Sequence, residues 1–213
     1  MTQNSPEPED RATKQRDNRR RQIVAAAKEV FAELGYHKAS ISELIQRAGI
    51  ARGTFYLYFE HKRQVFDSIL NEALVELDKR ILPVDIGPDQ PSARAQLRAN
   101  FIRVLTYLLE DQALTQLLLN HGLTPDSGAA DRVGAFYQGV IMMIRASLAE
   151  GVERGLLRKC HSEIVASALF GAIRGMVEYM MSADKTPSVE EAADELIYLV
   201  LHGVANSEHW IDE

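Results

Sequence analysis

An Ala48-Gly49-Ile50 break lies between two short stretches of helical spacing and forces a sharp corner into the chain. Before it, Leu44, Ile45 and Ala48 mark the inner face of a helix over 41–48, which Ser40 can cap. After it, a second short helix fits 52–57. A glycine between them can take the positive φ that lets two helices meet at a steep angle. Ile50, Phe55 and Phe59 lock the second helix onto the first and onto a longer helix upstream. That upstream helix shows the stripe Ile23, Ala27, Val30, Phe31 and Leu34 and stops at Gly35. Arg52, Gly53, Thr54, Tyr56 and Leu57 are left on the outer side of the corner.

The same periodicity continues downstream. Helices fit 62–82, 92–110, 112–120, 129–154, 162–182 and 188–206, and no run alternates as a strand would. Pro83, Gly87, Pro88 and Pro91 mark a linker. The predicted fold is all-α: an N-terminal three-helix domain with a helix-turn-helix, then a larger helical domain. The predicted boundaries are a disordered tail over 1–16, a helix-turn-helix domain over 17–66 and a helical domain over 67–213. At 213 residues the chain can bury a core without a disulfide, and its single cysteine, Cys160, excludes an intrachain one.

The formal net charge of −6 argues at first against a nucleic-acid partner. Resolved along the chain, it says otherwise. Residues 11–63 hold 12 Lys and Arg against 5 Asp and Glu, whereas residues 64–213 hold 12 against 22. A basic block joined to an acidic one points to nucleic-acid contact on the basic part. The residue types fit. Arg52 can contact guanine with two hydrogen bonds, Gly53 lets backbone approach, and Thr54 can touch a thymine methyl or a phosphate. Tyr56, Tyr58, His61 and Lys62 suit phosphate oxygens, as do Ser40 and Ser42 at a helix start. Leu57 completes the outer face. Tyr36 reads as a packing residue.

The segment GYHKASISELIQRAGIARGTFYLYFEHK, with Gly35-Tyr36, Ile41, Ala48-Gly49-Ile50, Gly53-Thr54, Tyr56, Tyr58-Phe59 and Lys62 at fixed spacing, resembles the TetR family of bacterial transcriptional regulators. The resemblance covers Arg19–Ile69; beyond it only the length, helical content and acidic C-terminal part agree. Two positions depart from the family pattern: Ala51 stands where a capping serine or threonine is usual, and Ala39 where threonine is common. The resemblance implies a homodimer on a palindromic double-stranded DNA operator, with recognition helices about 34–36 Å apart or more. It also implies a repressor released by a small-molecule effector. The alternative is a DNA-binding protein of this fold controlled by a protein partner.

In the C-terminal part nothing reads as catalytic: there is no Gly-rich phosphate loop, GxSxG or HExxH. Neither a cofactor nor a metal site is expected, since the histidines are scattered. Candidate lining residues for an apolar, acyl-type effector are Phe101, Leu105, Leu108, Phe136, Met142, Met143 and Phe170, with Arg174 as anchor for an acidic headgroup; Arg103 and Arg145 are further candidates. Leu169, Ile173, Met176, Val177 and Met180 form one stripe, and Leu196, Ile197, Val200, Leu201 and Val204 another. Two such helices from each chain would make a four-helix bundle, so these residues are the expected dimer interface. The longest apolar runs fall short of a membrane span, and the polar N-terminus lacks the apolar core of a signal peptide. The expectation is a cytoplasmic protein with a reduced thiol and no membrane partner.

Overall fold

The computed structural model describes residues 8–121, 129–183 and 185–204, with side chains over 13–120, 129–183 and 185–202. The helices are α1 (Pro8–Leu34), α2 (Ile41–Ala48), α3 (Arg52–Tyr56), α4 (Lys62–Arg80), α5 (Ala93–Glu110), α6 (Gln112–His121), α7 (Ala129–Glu153), α8 (Ser162–Ser182) and α9 (Val189–Val204). No strand occurs among the described residues. Most bounds lie within two residues of those read from periodicity. The exception is the start of α1. Composition predicts disorder to residue 16, yet the helix begins at Pro8. Lys14, Gln15 and Arg16 are good helix formers.

The corner takes the geometry its glycine allows. Gly49 caps α2 at φ 61°, in the left-handed region, and its N–H donates back to Gln46 and Ile45. Ser40 caps the other end of α2. Its Oγ accepts from the Glu43 N–H at 3.2 Å, while its own N–H donates to Glu43 Oε2 at 2.6 Å. Arg47 donates to Glu29 and Glu33 and so pins α2 to α1. The Arg47 guanidinium in turn holds Glu33 below the usual carboxylate range.

One buried cluster runs from Ile23, Phe31, Phe55 and Phe66 into Leu114 and Leu117 of α6 and Val133 and Phe136 of α7. The expected boundary at 66/67 therefore falls inside α4, a continuous helix whose inner face serves both head and body. Two ion pairs add to that junction: Lys28 of α1 with Asp111, and Arg132 of α7 with Asp67 of α4. A second cluster gathers Leu105, Val177, Met180 and Leu196 between α5, α8 and α9.

The proline-rich linker is tethered at two points. Asn100, buried on α5, accepts from the Leu82 N–H at 3.0 Å and donates to the Leu82 carbonyl at 2.8 Å. Gln96 does the same for Asp85, at 2.9 and 2.6 Å. Each side-chain amide supplies one donor and one acceptor, as a neighbouring strand would. Residues 81–92 thus form a strap along α5.

Candidate nucleic-acid interface and ligand cavity

The outer side of the corner is built as the sequence implies. Phe55 is fully buried, Phe59 nearly so, and Ile50 packs against the same cluster. This turns Arg52, Gly53, Tyr56 and Leu57 to solvent, with Leu57 74% and Tyr56 45% exposed. Thr54 and Tyr58 are half-buried, and Tyr58 packs on the core. Ser42 and His61 are exposed, His61 at the N-cap of α4. Arg52 stands 6.0 Å from the Tyr56 ring. Ala51 caps α3 without any side-chain hydrogen bond. Gly53 has no heavy atom within 4 Å of where a Cβ would stand. The fold itself therefore does not require glycine there.

Two of the expected phosphate contacts are already engaged. The capping box uses the Ser40 and Glu43 N–H groups, leaving those of Ile41 and Ser42 at the start of α2. Lys62 differs more. Its Nζ donates to the carbonyls of Tyr36, His37 and Ala39, at 2.8, 3.2 and 2.9 Å, and stands 4.6 Å from the Tyr36 ring. An ammonium has three donors, so the set is filled. Lys62 clamps the α1–α2 turn onto the start of α4 rather than pointing outward. Burial pushes its pKa below the usual lysine range, and Glu43 pulls it partly back. The turn's carbonyls are invisible in sequence, which shows only a lysine in a basic stretch. Tyr36 packs against Phe31 and Phe66, at ring-centre distances of 5.5 and 4.8 Å, as a core residue should.

In the body, a cavity of about 370 Å³ runs between α4, the strap, α5, α6, α7 and α8. Phe101, Leu108, Phe136, Met143, Phe170 and Arg174 line it. Two of the expected lining residues do not. Leu105 is fully buried but faces the second cluster, toward α8 and α9. Met142 is 56% exposed on the outer side of α7, one position out of phase with Met143. Arg103 is also turned away, donating to the Arg80 carbonyl and to Asn100. Arg145 is exposed. Sequence reasoning missed Tyr137, Val140, Ile144 and Thr115, and the strap residues Leu82–Val84.

Most of the stripe residues assigned to a dimer interface face inward instead, although Met176 and Leu196 also floor a surface groove. Leu169, Ile173, Val177, Val200 and Leu201 line the cavity. Met180, Leu196 and Ile197 are buried in their own chain, and Met176 is half-buried. The side chain of Val204 lies outside the described residues. The reason is that α8 is apolar nearly all round, and the stripe with the larger side chains fills its own core. By length and composition alone α8 would even suit a membrane. What remains on the surface is the adjacent face of α8: Ile164 (65% exposed), Ala168, Gly171, Gly175 and Tyr179. Beside it, α9 exposes Tyr198 (60%) and Leu199, next to His202. A shallow groove joins the two helices, floored by Ala172, Met176 and Leu196.

The family model described as "Bacterial regulatory proteins, tetR family" matches residues 23–69. The fatty acid metabolism regulator protein of Bacillus subtilis (strain 168) is 26% identical over 197 residues, covering 91% of this chain and 99% of that relative. Two solved structures share the fold over nearly all of the chain. The fatty acid degradation regulator of Bacillus halodurans has a TM-score of 0.70 at 22% identity, covering 87% of this chain and 95% of that one. The triclosan complex of SmeT, repressor of a Stenotrophomonas maltophilia multidrug efflux pump, has a TM-score of 0.70 at 19% identity, covering 91% and 95%. The corner around Gly49 lies within the matched residues, and the helical body shares its shape with these regulators. Over residues 23–69 the chain is that of the TetR family of bacterial transcriptional regulators, and over nearly its whole length it shares their fold.

Proposed function

We propose that the protein is a dimeric repressor that leaves a palindromic operator when a long-chain apolar effector fills the cavity in its body. The observation that carries this is the cavity's position. Its walls include Leu77 near the end of α4, the helix whose start is fixed to the DNA-binding head, and Thr115 and Leu118 of α6, which packs on α1. A ligand that changes the spacing of these helices changes the spacing of the two heads. The apolar lining and the similarity to a fatty acid metabolism regulator both support an acyl-type ligand. The exposed face of α8 and α9 is where the second copy would pack. The domain roles follow: residues 17–66 read the operator, and the body from 67 onward binds effector and partner copy.

The DNA contacts are Arg52, Gly53, Thr54, Tyr56 and Leu57 at the groove, with Ser42, Tyr58, His61 and the Ser40 hydroxyl, whose hydrogen the capping box does not use, toward the phosphates. Gly53 gives a clean test, because nothing inside the chain crowds it. Gly53→Ala is expected to hold or raise stability by about 0.5–1 kcal/mol. It should weaken operator binding about tenfold as the methyl meets the duplex. Unchanged operator affinity would remove Gly53 from the interface.

The effector reading is tested by titrating operator binding with long-chain acyl compounds. By linkage, the effector lowers operator affinity by the factor by which operator lowers effector affinity, about 5- to 150-fold in typical systems. A compound that binds the protein and leaves operator affinity unchanged overturns the release mechanism. Operator affinity that does not fall with salt overturns the DNA contacts.

A further inference from the structure

We infer that the effector is a free long-chain carboxylate bound head first, with its carboxylate on Arg174 at the α6 end of the cavity; this rests on the reading that the cavity holds the effector. Arg174 Nε is buried and has no hydrogen-bond partner. It is the only such side-chain atom among the described residues. A buried donor left unpaired costs free energy that an acceptor on a ligand would recover. The guanidinium lies 5.5 Å from the Tyr137 ring, whose centre is 4.9 Å from that of the tilted Phe170 ring. Tyr137 is itself fixed, since its hydroxyl donates to the Leu118 carbonyl of α6. No carboxylate of the chain makes an ion pair with Arg174 among the described residues.

The other cations near the cavity are either paired or hydrated. Arg154 donates to the Val84 carbonyl and pairs with Glu150 at 2.6 Å. Arg103 is bonded to Arg80 and Asn100. Arg94, at the strap end, is exposed to water. The unmet demand for an anion is therefore at one end only. From Tyr137 to Gly151, both on the cavity wall, α7 rises about 20 Å. A long alkyl chain spans that length past Val140, Ile144 and Leu148 and ends at the strap. The opposite orientation, with a bulky headgroup outside the strap, would lay a methyl end against the unpaired Arg174 nitrogen.

The experiment uses the full-length protein freed of lipid, with palmitate, methyl palmitate and palmitoyl-coenzyme A as probes in a direct binding measurement. Palmitate is expected to bind about 10- to 100-fold more tightly than its methyl ester, the range of a charge-assisted hydrogen bond. Arg174→Met should erase that ratio while leaving ester affinity within about threefold, and Arg174→Lys should restore part of it. The ratio measured on the unaltered protein does not depend on how the variants fold. Acid and ester binding alike overturns the inference. So does tight binding of palmitoyl-coenzyme A that Arg174→Met does not change; both results leave the cavity's role as effector site intact. If no probe binds, both the inference and the acyl-effector reading fall.

Discussion

Gly175→Arg is expected to yield a folded monomer that has lost its operator. Gly175 lies on the exposed face of α8, with nothing within 4 Å of its missing Cβ. Within one chain the substitution is therefore free of clash. Replacing a helical glycine with a good helix former should stabilise α8 by roughly 0.5–1 kcal/mol. In a dimer built on this face the outcome reverses. Gly171, Gly175 and Ala168 allow a partner helix to approach closely, and an arginine there holds it off and strands a charge in the contact. Sedimentation should then show a monomer whose melting temperature no longer depends on concentration. Binding to a full palindrome should fall by about 10²- to 10⁴-fold, the gain that a second linked half-site confers, while single half-site binding is unchanged. A variant that stays dimeric places the interface elsewhere.

This prediction rests on a face whose small residues, Gly171 and Gly175, offer close helix approach in the sequence itself, but which stripe periodicity does not assign to the interface, and the reason is physical. Periodicity finds a stripe by its large apolar residues. On α8 those residues, Leu169, Ile173, Val177 and Met180, satisfy the chain's own cavity and core. The neighbouring stripe, Ala168, Gly171 and Gly175 between Ile164 and Tyr179, is less conspicuous because small residues bury little area, although small residues are what a close helix pair needs. The same one-residue ambiguity separates Met143, on the cavity, from Met142, on the surface. By contrast the corner at Gly49, the Ser40 cap and the buried Phe55 and Phe59 were all legible, since each depends on local chemistry at fixed spacing. What local reading could not supply were contacts between segments far apart in the chain. The Asn100 and Gln96 tethers turn an apparent linker into a strap, and the filled donor set of Lys62 removes it from the outer face.

Lys62→Met is expected to lose operator binding without losing a phosphate contact. Methionine keeps most of the aliphatic stem and deletes the ammonium. The carbonyls of Tyr36, His37 and Ala39 then lose their shared donor, and the α1–α2 turn loses its tie to α4. Hydrogen bonds from a charged donor are worth about 1.5–3 kcal/mol, so the head should be destabilised by about 3 kcal/mol, read as a lower denaturant midpoint at unchanged slope. Because α2 and α3 are positioned from that turn, operator affinity should fall at least about tenfold. The salt dependence separates this from direct contact. Each phosphate contact removed lowers the slope of log K against log salt by about one. A clamp leaves the slope of the residual binding as it was. A slope reduced by about one, in a variant with normal stability, would return Lys62 to the DNA surface and place its carbonyl contacts as a resting state that the operator displaces.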